Sequence, residues 1–314
     1  MQEITLKELL EAGCHFGHKA ERWHPKAAEF IYQERDGIHV IDLAKTKAGL
    51  EQAAAILKKM GEEGQIPLFV GTKRQAAPIV KAEAERVGAP YFCKRWIGGF
   101  LTNWSEVHKN LEKIRRLTEE QETGAWNKFP KHERVKLSRY LGRLNMFYGG
   151  VSHLTQAPDA VVVVDIRRED VAVAEGRKMG KVLIGIVDTN SDPNEVEYYI
   201  PSNDDAVGAL QLLIKVLADS YAEGVEIRGK GEAAKKEAEA KSLQVPKETS
   251  KPEKEAGTEK KQTNKEKATE SVPKKVIRQP ADHPEASPAE GPQMKSEQLE
   301  KKVKAKKQSK AKKL

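Results

Sequence analysis

Residues 159–189, DAVVVVDIRREDVAVAEGRKMGKVLIGIVDT, decide the fold. Neither DAVVVVDI nor VLIGIVDT alternates polar with apolar residues, so each predicts a strand buried on both faces. EDVAVAEGRKMG between them predicts a helix, and a strand–helix–strand unit of this kind builds a parallel sheet. Working outward, the pattern recurs. IPLFVGT (66–72) reads as a short buried strand, PIVKAEAERVG (78–88) as a helix and PYF (90–92) as another short strand. YYIP (198–201) reads as an edge strand, and Asn203 or Asp204 caps the helix DAVGALQLLIKVLADSYAEG (205–224). The fold class is α/β, an open doubly wound parallel sheet.

Two insertions modify that plan. FIYQER and IHVIDL flank Asp36-Gly37, whose two residues suit the positive-φ positions of a tight β-hairpin. The helix after it carries Leu50, Ala53, Ala54 and Leu57 on one face and is expected to stop at Gly61. Further on, Val107, Leu111 and Ile114 step by four and three, and Leu137, Leu141, Leu144 and Tyr148 by four, three and four. The loop GAWNKFP separates them, so residues 103–148 predict an antiparallel coiled-coil helical hairpin, an arm inserted in the α/β body. At the N-terminus, Thr5 and Glu8 form a capping box and Ile4 and Leu9 a staple for a short helix that stops at Gly13.

Charge separates body from tail. The net charge of the chain is +8, yet residues 228–314 hold 24 of its 55 basic and 14 of its 47 acidic residues. The first 227 residues are therefore slightly acidic, and any nucleic-acid face on them must be a local patch. No aromatic residue follows Tyr221, and residues 228–314 are Lys, Glu, Ala, Pro, Ser and Gln with few large apolar side chains. Such a composition predicts a disordered tail. Its end, KKVKAKKQSKAKKL, holds eight lysines and no acid, which suits loose contact with phosphate backbones or simple solubilisation. Cys14 and Cys93 are isolated, the N-terminus lacks an apolar secretion segment and no run could span a membrane. A cytoplasmic protein is expected.

Chemistry-bearing motifs are sparse. Val70–Arg74 lies between a strand and a helix and offers cations to an anion, but its single glycine is not a Walker loop. His15, His18 and His24 lack the ligand spacing of a metal site and read as hydrogen-bonded loop histidines. Asp188, Asp192, Asp204 and Asp205 read as turn and cap residues, although four aspartates around one strand end could also hold a divalent cation. Spacing leaves open whether the histidines or aspartates bind an ion. With no nucleophile elbow, HExxH or Cys–His signature, an enzyme at the strand-end pocket, nucleotide- or metal-dependent, is the alternative rather than the main reading.

The stretch 94–104, KRWIGGFLTNW, sets two cations beside aromatic rings that either stack on bases or fill a core. Together with AGCHFGHKAERWHPK, GIHVIDLAKT, FVGTKRQA and VDTNSDPNEVEYYIPSNDDA, it closely resembles the bacterial small-subunit ribosomal protein S-two family, in order from about Ile4 to Gly224. Cys14 stands where an aliphatic residue is expected. The resemblance implies a flavodoxin-like body over residues 1–227 with a protruding helical hairpin. It implies a non-catalytic role on small-subunit ribosomal RNA at the junction of head and body, among neighbouring ribosomal proteins including the messenger-capturing protein S-one. No cofactor, metal, membrane or small-molecule substrate is implied. Candidate RNA contacts are Arg22, Trp23, Lys73, Arg74, Lys94, Arg95, Trp96, Lys109 and Lys113.

Overall fold

The computed structural model describes residues 4–242, with side chains through residue 231. In chain order the elements are α1 (Leu6–Glu11), β1 (Phe16–Lys19), β2 (Ile31–Arg35), β3 (Ile38–Ile41), α2 (Leu43–Glu63) and β4 (Pro67–Val70). There follow α3 (Ala77–Val87), β5 (Tyr91–Phe92), α4 (Trp104–Glu122) and α5 (Lys131–Tyr148). The chain continues with β6 (Ala160–Val164), α6 (Asp170–Lys178), β7 (Val182–Val187), β8 (Tyr198–Pro201) and α7 (Val207–Ser242).

Five strands pair in the order β5-β4-β6-β7-β8, all parallel. Counted within the sheet this is 2-1-3-4-5, the order of one common doubly wound class. The apolar runs are continuous because both faces are covered. Val161 and Val163 enter one core cluster with Phe92, Trp96 and residues of α4 to α6, while Ala160, Val162 and Val164 enter another with α2, α3 and α7. The expected edge strand Tyr198–Pro201 is indeed an edge.

The hairpin turns as read from the sequence, with Asp36 at φ 53° and Gly37 at φ 73°. What the sequence did not signal is β1, which joins β3 to make a three-stranded sheet ordered β1-β3-β2. The capping box on α1 is complete, with Thr5 N 2.8 Å from Glu8 Oε2 and Glu8 N 3.3 Å from Thr5 Oγ1.

Two glycines expected to end helices sit inside them instead. α2 runs past Gly61 to a left-handed cap at Gly64, and α7 runs past Gly224 to Ser242. Their role is close approach: a Cβ on Gly61 would lie 2.6 Å from Tyr221 O, and one on Gly224 would strike Lys58 O. Helix α7 thus continues through residues 228–242, into the stretch that composition assigns to the tail. Lys, Glu and Ala favour helix strongly, and extending an existing helix needs no new nucleus. Residues 243–314, including the lysine-rich end, lie outside the described residues.

Helices α4 and α5 pack on each other. Val107, Leu111, Ile114 and Leu117 of α4 are buried, with Leu141 of α5 and Trp126 of the connecting loop, and all join the cluster on one face of the sheet. Arg115 ties α4 to the segment before β6 through the carbonyls of Ser152 at 3.0 Å and Leu154 at 2.7 Å.

Candidate functional site

The stretch 94–104 folds around one carboxylate. Oε1 of Glu175, on α6, accepts from Trp96 Nε1 at 3.1 Å and Gly99 N at 2.7 Å. Its Oε2 accepts from Leu101 N at 3.0 Å and Thr102 N at 3.2 Å. Burial alone would raise the Glu175 carboxyl, but these donors hold it below its ordinary value. Phe92, Trp96, Phe100 and Trp104 pack edge to face in a chain with centroids 5.4, 5.5 and 5.6 Å apart along the sequence. Trp96, expected among the RNA contacts, is 7% exposed and spent on this core. Its neighbours Lys94 and Arg95 are exposed, and among the described residues no carboxylate pairs with either.

At the carboxyl ends of the strands, loops far apart in sequence converge. Gly17 makes this possible, because a Cβ there would lie 2.7 Å from Thr189 Cγ2. With that space open, His18 N donates to Thr189 Oγ1 at 2.8 Å and His24 N to Thr189 O at 2.8 Å. His18 Nδ1 is thereby set 3.0 Å from Asp188 Oδ2. The β4–α3 loop sends Lys73 into the same place, with Nζ 2.6 Å from Asp205 Oδ1, 2.8 Å from Asp204 Oδ1 and 3.4 Å from Asp165 Oδ2. Burial works against the Lys73 charge, but the Asp204 and Asp205 hydrogen bonds outweigh it and push its pKa up. The Asp188 hydrogen bond likewise raises His18 against its burial. Burial, then the charges of Asp188 and Asp165, push the Asp204 carboxyl up to about 7.

Lys73, expected on phosphate, is therefore engaged by three carboxylates, and Val70–Arg74 is not the open anion loop its sequence suggested. Arg74 beside it is exposed, with no carboxylate partner among the described residues. The cap reading of the acidic residues divides. Asp192 caps the short turn at Pro193, accepting from Asn194 N at 3.0 Å, and Asn203 accepts from Asp205 N at 2.8 Å. Asp188 and Asp204 instead turn inward. The three histidines do not converge: His15 lies against Phe16, His24 accepts from Lys26 N, and only His18 reaches the aspartates.

Sequence reasoning missed Asp165, Glu169 and Glu175. A signal for Asp165 exists in its place at the end of an apolar strand, and its φ of 64° is a backbone region non-glycine residues rarely occupy. Glu169 is buried and accepts from Thr72 N at 3.2 Å.

A cleft of about 960 Å³ opens over the strand ends, lined among others by His18, Arg22, Trp23, Asp165, Arg168 and Asp192. Trp23, 39% exposed, lies 5.3 Å from the His39 ring. On α4, Lys109 and Lys113 are exposed but partnered, Lys109 with Glu106 at 2.6 Å and Lys113 with the Tyr140 hydroxyl at 3.0 Å. Residues 9–224 match the family model described as ribosomal protein S2. The chain belongs to the ribosomal protein S2 family. It is 45% identical over 230 residues to the small ribosomal subunit protein uS2 of Koribacter versatilis (strain Ellin345), covering 73% of this chain and 76% of that relative. Family membership assigns a structural, non-enzymatic role with the small ribosomal subunit. Among the described residues no helix is long and apolar enough to cross a membrane.

Proposed function

We propose that this protein is a structural constituent of the small ribosomal subunit in the cytoplasm, docked on ribosomal RNA at the junction of head and body, where it supports translation and helps recruit protein S-one. The observation that carries the reading is family membership over residues 9–224. Its support in the site is the contrast between free and engaged cations: Arg22, Arg74, Lys94 and Arg95 are exposed, and no carboxylate pairs with any of them among the described residues. Uncompensated cations on a body of near-neutral charge suit a local phosphate contact. Lys109 and Lys113 have neighbours that a phosphate could replace, whereas Lys73 and Trp96 act within the fold.

The proposed organisation is one α/β domain over residues 1–227, flavodoxin-like, with α4 and α5 as a coiled-coil arm at 103–148 and a tail at 228–314. The arm is assigned to RNA or to neighbouring ribosomal proteins.

A sucrose gradient tests the assignment. Full-length protein with a C-terminal tag is followed in gentle lysates at low and high salt, alongside ribosomal RNA. Travel with the small subunit and release only at high salt is the expected result. Protein that stays at the top of the gradient at every salt concentration overturns it.

A further inference from the structure

The carboxylate cluster at the strand ends holds more negative charge than its neighbours balance. Asp165, Asp204 and Asp205 all lie within 3.4 Å of the single ammonium of Lys73, and Asp188 faces the imidazole of His18. A ring nitrogen of His18 and one oxygen each from Asp188 and Asp204 lie within 4.8 Å of one another. Two of these three residues are buried, Asp188 at 1% exposure and Asp204 at 0%.

A second observation is independent of this clustering. Oδ1 of Asp204 is held by Lys73, but among the described residues Oδ2 meets no hydrogen-bond partner. A buried carboxylate oxygen without a donor is costly, and carboxylates in that position are either neutralised or coordinate a cation. Its companions are themselves positioned. Asp188 Oδ1 accepts from Thr189 N at 2.6 Å, and the second ring nitrogen of His18 lies 3.1 Å from Asn190 Nδ2. Outer contacts of this kind orient metal ligands.

We propose that His18, Asp188 and Asp204 form a binding site for one divalent transition-metal ion. One imidazole with two carboxylates is a mixed nitrogen and oxygen set, which suits Mn²⁺ or Zn²⁺ better than the all-oxygen shells of Mg²⁺ and Ca²⁺. Asp205, whose Oδ2 lies 3.7 Å from His18 Nε2, stands at the solvent side as a further carboxylate. The ion would link β1, the end of β7 and the loop before α7, segments already joined by the bonds of His18 N to Thr189 and of Asp204 N to Asp188. Its role is structural.

The test uses the full-length chain, stripped with a chelator and dialysed. Mn²⁺ is titrated in and free ion read by electron paramagnetic resonance, with Zn²⁺ as competitor. The expected result is one Mn²⁺ per chain, displaced by Zn²⁺. Binding should weaken at least tenfold in Asp204→Asn and in His18→Ala but be unchanged in Asp192→Asn, whose carboxylate pairs with Lys26 outside the triangle. Circular dichroism establishes that each variant is folded. Should Asp204→Asn fail to fold, His18→Ala decides, since that side chain is 22% exposed at the edge of the cluster. A wild-type chain that leaves Mn²⁺ free at tenfold excess, or variants that bind as the wild type does, overturns the proposal.

Discussion

The indole nitrogen of Trp96 donates to Glu175 at 3.1 Å, joining the loop after β5 to helix α6 across 79 positions of sequence. The same carboxylate takes three backbone N–H groups of the loop, so a segment without regular structure satisfies its buried donors on one side chain. Removing it strands those donors. Glu175→Ala is expected to destabilise the fold by ~3 kcal/mol or more, since each buried donor left unsatisfied costs roughly 1–3 kcal/mol. Urea denaturation of the two proteins measures it.

The pH dependence of that contribution has a definite sign. The folded-state pKa of Glu175 is depressed below its ordinary 4.5. Its stabilisation is therefore full above 4.5 and is lost as pH falls through the lower folded value. The stability difference between wild type and Glu175→Gln should be largest near neutrality and shrink below about pH 4.5. A difference that stays constant down to about pH 3 would count against a charged Glu175.

Lys73 is expected to behave as a structural residue. Lys73→Met leaves Asp165, Asp204 and Asp205 without their shared ammonium. Breaking a buried pair on one side costs ~3–5 kcal/mol, so the unfolding midpoint should drop sharply. If Lys73→Met weakened RNA binding with no loss of stability, a direct phosphate contact would be the better account.

Arg74, Lys94 and Arg95 should show the opposite behaviour. Changed together to Ala, they should leave stability within about 0.5 kcal/mol per position, as surface substitutions do. Binding to small-subunit RNA should weaken, and its log–log salt dependence should flatten by roughly 0.9 for each phosphate that is no longer neutralised. Filter binding across a salt series reads both quantities, and an unchanged slope would remove these residues from the interface.

The crossing of α2 and α7 depends on missing side chains. Gly61→Ala would put a methyl 2.6 Å from Tyr221 O and 2.8 Å from Val225 N, both backbone atoms that cannot swing aside. Overpacking of this kind costs ~1–3 kcal/mol. Thermal unfolding of Gly61→Ala should show it, while Gly142→Ala, where a Cβ meets nothing within 4 Å, should not lose stability.

Local patterning determined much of this protein. The apolar runs at 160–164 and 182–187, the Asp36-Gly37 turn, the Thr5–Glu8 box and the buried seam of Val107, Leu111 and Ile114 were all legible, because side-chain periodicity and turn chemistry act between residues close in sequence. Family membership was legible too, in motifs spread along the chain. What only the tertiary structure decided is where side chains point once strands align. No spacing rule connects position 18 with 188 and 204, or 96 with 175, since those pairs meet through sheet order and loop length. The same limit explains why Trp96 and Lys73 read as surface contacts and why Gly61 and Gly224 read as helix ends. An aromatic, a lysine or a glycine carries the same local signal on a surface as in a core, and burial is set by distant segments that pack against it.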